Sequence, residues 1–368
     1  MSIIDNYFIS QAPKLSYLEL KNNEEIYLDY GLNDIPLPII TDDLMHGLQN
    51  EKFTNEINID YIVDGILFNL AVDKDFKYIS DYKNIINNLV KEPSKLAIDK
   101  GIKAMDTDLE RALIFFKAAH ELDVKNSFAA YNYARLLWRL DLNKEEKSTF
   151  IGEAIKILEK VTIDDPSFAL AFFELANINK SIGEYMKSMN LYKKTLALVE
   201  EDNLKEEIRT KMKEIEPDAL VEDAIYFINK MDYGKAIDLL NDANKLVSRY
   251  DVLYYLAVCY TNLDQLDLAD EFFQKAIDGG AEFAALYIDY IFVKYSKHQT
   301  EQALDLANQA IDRYPADIKL RYNRGLILAE LGAKSKAIED LDFILEYADL
   351  SDEMFNQVMI AKEGIINS

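Results

Sequence analysis

Seven segments of the chain carry the same helical face: 109–119, 152–162, 184–195, 232–243, 266–277, 301–311 and 335–345. Each superimposes one small residue, in turn Ala112, Ala154, Ser188, Ala236, Ala269, Ala303 and Ala337. Four positions later stands a bulky residue, Phe116, Leu158, Tyr192, Leu240, Phe273 and Leu341, with Ala307 as the exception. Seven positions later come Ala119, Val161, Thr195, Ala243, Ala276, Ala310 and Ile344. Positions i, i+4 and i+7 lie on one side of an α-helix, so the pattern predicts seven copies of one amphipathic helix. The gaps between copies are 42, 34, 48, 33, 34 and 34 residues, which gives a 34-residue period with two insertions.

A second small residue stands twelve positions before most of the first set: Ala176, Ala224, Ala257 and Gly325, with Ala134 and Gly101 in comparable places. Two helices pack closely only where their facing side chains are small, so each period predicts a pair of helices. Pro166 and Pro315, twelve positions after Ala154 and Ala303, separate one pair from the next. With Gly183-Glu184-Tyr185, Asp232-Tyr233-Gly234-Lys235-Ala236 and Asp164-Asp165-Pro166, this arrangement resembles the tetratricopeptide repeat family over roughly residues 94–349. The departures are a missing early aromatic in most first helices and Ile291 in place of a small residue in the sixth repeat. The resemblance implies an all-α fold, a right-handed α-solenoid of about seven hairpins whose first helices line an inner wall. Thr107-x-x-Glu110 and Asn143-x-x-Glu146 read as capping boxes that open second helices.

Outside the repeats, Leu204, Ile208, Met212 and Ile215 fall at helical spacing within the charged stretch 200–216 and predict a lengthened helix. Residues 351–366 predict a C-terminal capping helix with Met354, Phe355, Val358, Ala361 and Ile365 on one face. The first 92 residues predict a mostly helical cap: a short β-hairpin from 15–20 and 26–30, an extended stretch at Pro36 and Pro38, and helices opened by Thr41-Asp42-Asp43, over 55–71 and over 76–90. The expected division is a capping region 1–92, a repeat array 93–349 and a capping helix 350–368.

Composition narrows the partners. The chain carries 65 acidic against 41 basic residues, net −24, and residues 1–92 alone hold 16 Asp/Glu against 7 Lys and no Arg. Such a charge repels nucleic acid and anionic membranes; it serves solubility or steers a basic partner. The lone Cys259 lies in an apolar helical stretch, which fits a reducing compartment and a small buried side chain better than a reactive thiol. No membrane-length apolar run and no leader-like start appear, so the expectation is a soluble cytoplasmic protein with no membrane partner. A homo-oligomer is left open and not predicted.

The sequence carries no recognisable catalytic or metal-binding motif. His46, His120 and His298 are scattered without metal-ligand spacing. The pairs Asp42-Asp43, Asp164-Asp165 and Glu200-Glu201 lack EF-hand alternation and suit helix starts. No residue is assigned to catalysis, to a cofactor or to a metal, and the chain is not expected to be an enzyme. The resemblance places binding on the first helices, on the side away from the packing positions. That side holds Tyr131, Asn132, Arg135, Trp138 and Arg139; Phe173, Glu174, Asn177 and Lys180; and Tyr254, Tyr255, Asn262, Asp289, Phe292, Tyr322 and Asn323. Asn amides can bond a peptide backbone, aromatics grip side chains and Arg holds a carboxylate. Asn132, Arg135 and Arg139 resemble part of the clamp with which some family members hold a C-terminal carboxylate. The leading expectation is a scaffold or adaptor that binds a protein or peptide in its groove. The alternatives are a peptide-sensing regulator, for which 1–92 offers no basic DNA-recognition helix, and an enzyme with an unrecognised site.

Overall fold

The computed structural model describes residues 2–19, 35–50, 58–346 and 350–367. The chain divides into two compact units, Met1–Thr210 and Lys211–Ser368.

The first unit opens with α1 (Ile3–Ile9), β1 (Leu15–Leu18), β2 (Leu37–Ile40), α2 (Thr41–Gln49), α3 (Ile59–Val72) and α4 (Ile79–Leu89). The strands pair antiparallel, with Leu15 opposite Ile40 and Leu18 opposite Leu37. The partner of β1 is therefore the Pro36–Pro38 stretch expected to be merely extended. Residues 26–30 and the turn before them lie outside the described residues. Helix α1 was not expected from the pattern. Seven residues are too few to display a helical period, but Ser2 and Asp5 form a capping box at its start.

Three hairpins follow: α5 (Pro93–Ala104) with α6 (Leu109–Leu122), α7 (Ser127–Leu137) with α8 (Lys144–Asp164), and α9 (Ala169–Ser181) with α10 (Tyr185–Leu198). Asn143 caps α8 as predicted, but Asp108 and not Thr107 caps α6, its carboxylate accepting from the Arg111 N–H. The N-terminal elements pack on the first hairpin through α3 and α6. Cations of the hairpin anchor them: Arg111 bridges Asp43 at 2.5 Å, Lys100 pairs with Asp64, and Lys117 Nζ donates to the Ala71 carbonyl at 2.6 Å.

Helix α11 (Asp202–Asn229) contains the boundary between the units. The lengthened helix predicted over 200–216 is present and does not stop there. It runs through Pro217 into the first helix of the fourth hairpin, the lost backbone bond offset by burial of Ile215, Ala219, Val221 and Ala224. The second unit continues with α12 (Tyr233–Leu246), α13 (Tyr250–Asn262), α14 (Leu266–Asp278), α15 (Ala284–Ser296), α16 (Thr300–Arg313), α17 (Ile318–Glu330), α18 (Lys334–Leu345) and α19 (Asp352–Asn367). Helix α19 covers the last hairpin with Val358 and Ile365, and the Ser351 hydroxyl caps it. Phe355, expected on that covering face, is exposed instead.

All seven aligned small residues are fully buried, as are Phe116, Leu158, Tyr192, Leu240, Phe273 and Leu341. Where Ser188 replaces alanine, its hydroxyl donates to the Ala176 carbonyl at 2.8 Å across the hairpin. Cys259 is buried in α13, and burial pushes its thiol up to about 12, which leaves it protonated and inert.

The turns inside five successive hairpins share one geometry. Gly183, Met231, Asp264, His298 and Gly332 all adopt left-handed backbone, at φ 84, 60, 56, 58 and 77. In each, the next N–H returns to a carbonyl five residues back, as in Gln299 to Lys294 at 3.0 Å. Met231 is 76% exposed, so Met231→Gly removes strain without removing packing. It is expected to stabilise the chain by about 0.5–1 kcal/mol, and Gly332→Ala to destabilise it similarly, in thermal unfolding. Equal melting of all three chains would contradict this.

Candidate functional site

In three places the first helix of one hairpin meets the first helix of the next, α7 with α9 in one unit and α13 with α15 and α15 with α17 in the other. A donor on one helix reaches a carboxylate one repeat later in three places. Trp138 Nε1 and Arg139 Nη2 both donate to Glu174 Oε1 at 2.8 Å; Tyr254 donates to Asp289 Oδ2 at 2.8 Å; and the Tyr295 hydroxyl donates to Glu330. Burial holds the Asp289 carboxyl above its ordinary range against the opposing pull of Tyr254 and Lys319. The hydrogen bond to Glu330 holds the Tyr295 phenol up.

Many of the residues expected in a groove are spent on such internal contacts. Tyr131 and Asn132 are buried, and the Asn132 amide donates to the Phe128 carbonyl at 2.8 Å. Trp138 and Arg139 are held by Glu174, itself 1% exposed. Half-buried Arg135 sits in the last turn of α7, and Arg139 follows the end of that helix. Phe173 is half-buried against Tyr192, whose hydroxyl donates to Asn177 at 2.7 Å. In the second unit Tyr254 and Tyr255 are half-buried against one another, and Asn262 accepts from Tyr233 at 3.0 Å. Tyr322 packs on the last core cluster.

Phe292 and Asn323 are different, because the structure brings them together. They line an open cleft of about 220 Å³ between α15 and α17 with Ile291, Tyr295, Leu326 and Ile327. Phe292 is 56% exposed, and Tyr295 and Leu326 are exposed beside it. Among the described residues the Asn323 side-chain amide has no hydrogen-bond partner. Ile291, which departs from the repeat pattern, is the buried floor. Tyr295 and Leu326 stand three residues after Phe292 and Asn323. That spacing marks them as neighbours on the same helical faces, and it was a signal available in the sequence.

A second cavity, of about 180 Å³, lies in the first unit between α6, α7 and α8. Its rim mixes Lys125, Lys156 and Lys160 with Glu153 and Asp164, so it presents no single charge. His120, at its edge, stacks on Tyr133, and burial lowers its pKa. Among the described residues no group of three or more His, Cys, Asp or Glu could hold a metal ion, and no helix is long and apolar enough to cross a membrane.

A family model described as tetratricopeptide repeat matches residues 293–346, a stretch that includes Tyr295, Asn323, Leu326 and Ile327 of the cleft. Over 114 residues the sequence is 28% identical to BBSome complex member BBS4 from Bos taurus, a match that covers 30% of this chain and only 22% of that relative. Among solved structures, a tetratricopeptide repeat protein from Parabacteroides merdae aligns over 73% of this chain and 98% of its own, at 15% identity and a TM-score of 0.36. YrrB, a TPR protein with an unusual peptide-binding site, aligns over 67% and 97%, at 17% identity and a TM-score of 0.28. The chain thus has seven helical hairpins in one register, and the stretch 293–346 within them matches the tetratricopeptide repeat model.

Proposed function

We propose that the chain is a protein-interaction scaffold, and that its second unit holds an extended segment of a partner across α15 and α17 with one apolar side chain of that segment in the cleft. The observation that carries this reading is the cleft itself. Phe292, Tyr295 and Leu326 leave large apolar surface in water beside an open void, the kind of patch that marks an interaction site. Its 220 Å³ falls below the roughly 300–1,000 Å³ of drug-sized ligand sites, which suits a side chain better than a free small molecule. The unpartnered Asn323 amide, with a donor and an acceptor, matches the backbone of an extended peptide. In the same proposal, residues 1–92 and 350–368 cap a repeat array over 93–349, and their packing on the first and last hairpins supports that division.

Peptides selected against the full chain from a random display library test the site. Their binding is expected to slow hydrogen exchange in α15 and α17, and Phe292→Ala to weaken them about tenfold, as for a buried aromatic anchor. Protection elsewhere with unchanged affinity in Phe292→Ala would remove the cleft from the account.

A further inference from the structure

Charge on this face is unevenly spent. The cations of α15, of its C-cap and of α17 turn toward second helices: Lys294 bridges Asp270 at 2.7 Å, the C-cap Lys297 bridges Asp270 and Asp267 at 2.8 Å, and Arg321 and Arg324 hold Asp340 at 3.1 and 2.6 Å. Asp270 and Asp267 belong to α14 and Asp340 to α18. The remaining cation of α17, Lys319, acts on Asp289 at the other end of the face. Glu330, at the end of α17, meets only neutral donors, the Tyr295 hydroxyl and the Thr300 hydroxyl at 3.5 Å, and no cation within ion-pairing distance among the described residues. Tyr295 is itself a wall of the cleft. An uncompensated carboxylate therefore stands one hydrogen bond away from the apolar anchor position.

We infer that the segment held in the cleft carries a lysine or arginine beside its apolar anchor, and that Glu330 receives that cation. This rests on the cleft reading above and adds the chemistry of the occupant. A cationic flank completes Glu330, whereas an acidic flank meets it and the field of a chain with net charge −24. Glu330 is exposed, so the pair it forms is a surface one, with an effect of severalfold in affinity at low salt.

Three synthetic peptides that share a central leucine and carry lysine, serine or glutamate flanks test it by fluorescence anisotropy on the full-length chain. The parent is expected to bind the lysine peptide about fivefold more tightly than the serine peptide, and the glutamate peptide least. Glu330→Gln is expected to erase the preference for lysine over serine, read as the ratio of the two affinities, in a chain whose folding is checked by its melting temperature. Asp352→Asn, an exposed neutralisation on α19, is expected to keep it. Phe292→Ala is expected to weaken the lysine and serine peptides alike. A preference that survives Glu330→Gln overturns the inference and leaves the cleft standing if Phe292→Ala still weakens binding. Affinities untouched by Phe292→Ala, or a parent chain that fails to bind the lysine peptide, overturn the inference together with the cleft.

Discussion

Gly65→Ala is expected to destabilise the N-terminal region strongly. Helix α3 lies so close to β2 that a Cβ on residue 65 would stand 1.9 Å from the Pro38 carbonyl oxygen, 2.3 Å from its carbon and 2.8 Å from the Ile39 nitrogen. All three are backbone atoms, so no rotamer change relieves the clash, and α3 must withdraw from the strand. Withdrawal opens the layer in which Leu37, Ile39, Ile40, Ile62, Ile66 and Leu67 are buried. We expect a loss of about 3 kcal/mol, at the upper end of ordinary overpacking costs. Gly152→Ala is the control: it adds the same methyl inside α8, into open space, and should be neutral or stabilising by up to about 1 kcal/mol. Thermal unfolding of the two variants measures the difference. A Gly65→Ala chain that melts with the parent would contradict the close approach.

The second large effect concerns the sixth hairpin, where the repeat pattern breaks twice. Its first helix carries Ile291 where the others have a small residue, and its second carries Ala307 where the others have a large one. Both are buried in one core cluster, and α15 and α16 pack together. An exchange of volume between the two positions is therefore expected, the isoleucine filling what the alanine vacates. Ile291→Ala alone is expected to cost about 2–4 kcal/mol through the cavity it leaves. Ala307→Leu alone is expected to cost about 1–3 kcal/mol by overpacking. The double variant restores the common pattern and should cost at least about 1 kcal/mol less than the sum, as read from a double-mutant cycle in denaturant. Strict additivity would show that the two positions do not share a space.

The hairpins were legible because close helix packing permits few residue types and repeats them at a fixed spacing, which leaves Ala112, Ala154, Ser188 and their equivalents in register. Contacts remote in sequence carry no such mark. The pairing of Leu15–Leu18 with Leu37–Ile40 leaves no periodic trace, and the left-handed turns at Met231, Asp264 and His298 hide behind residues that are not glycine. The same limit divides the candidate site. Phe292 and Asn323 can be read from their helical faces, and Tyr295 and Leu326 from the i+3 spacing. That Trp138 and Arg139 are committed to Glu174, while Glu330 lacks a cation, depends on partners one repeat away, which one helix's sequence does not reveal.

The central claim, that a partner segment docks in the α15–α17 cleft, is tested most directly by comparing two charge insertions of equal size. Phe292→Asp places a carboxylate in the exposed mouth of the cleft; Ile163→Asp places one on α8 at a side chain that is 75% exposed. Affinities of library-selected peptides for both variants are measured by anisotropy, with melting temperatures recorded alongside. The account predicts folded proteins in both cases, with binding lost in Phe292→Asp and retained in Ile163→Asp. Peptides that bind a folded Phe292→Asp chain as tightly as the parent would contradict it.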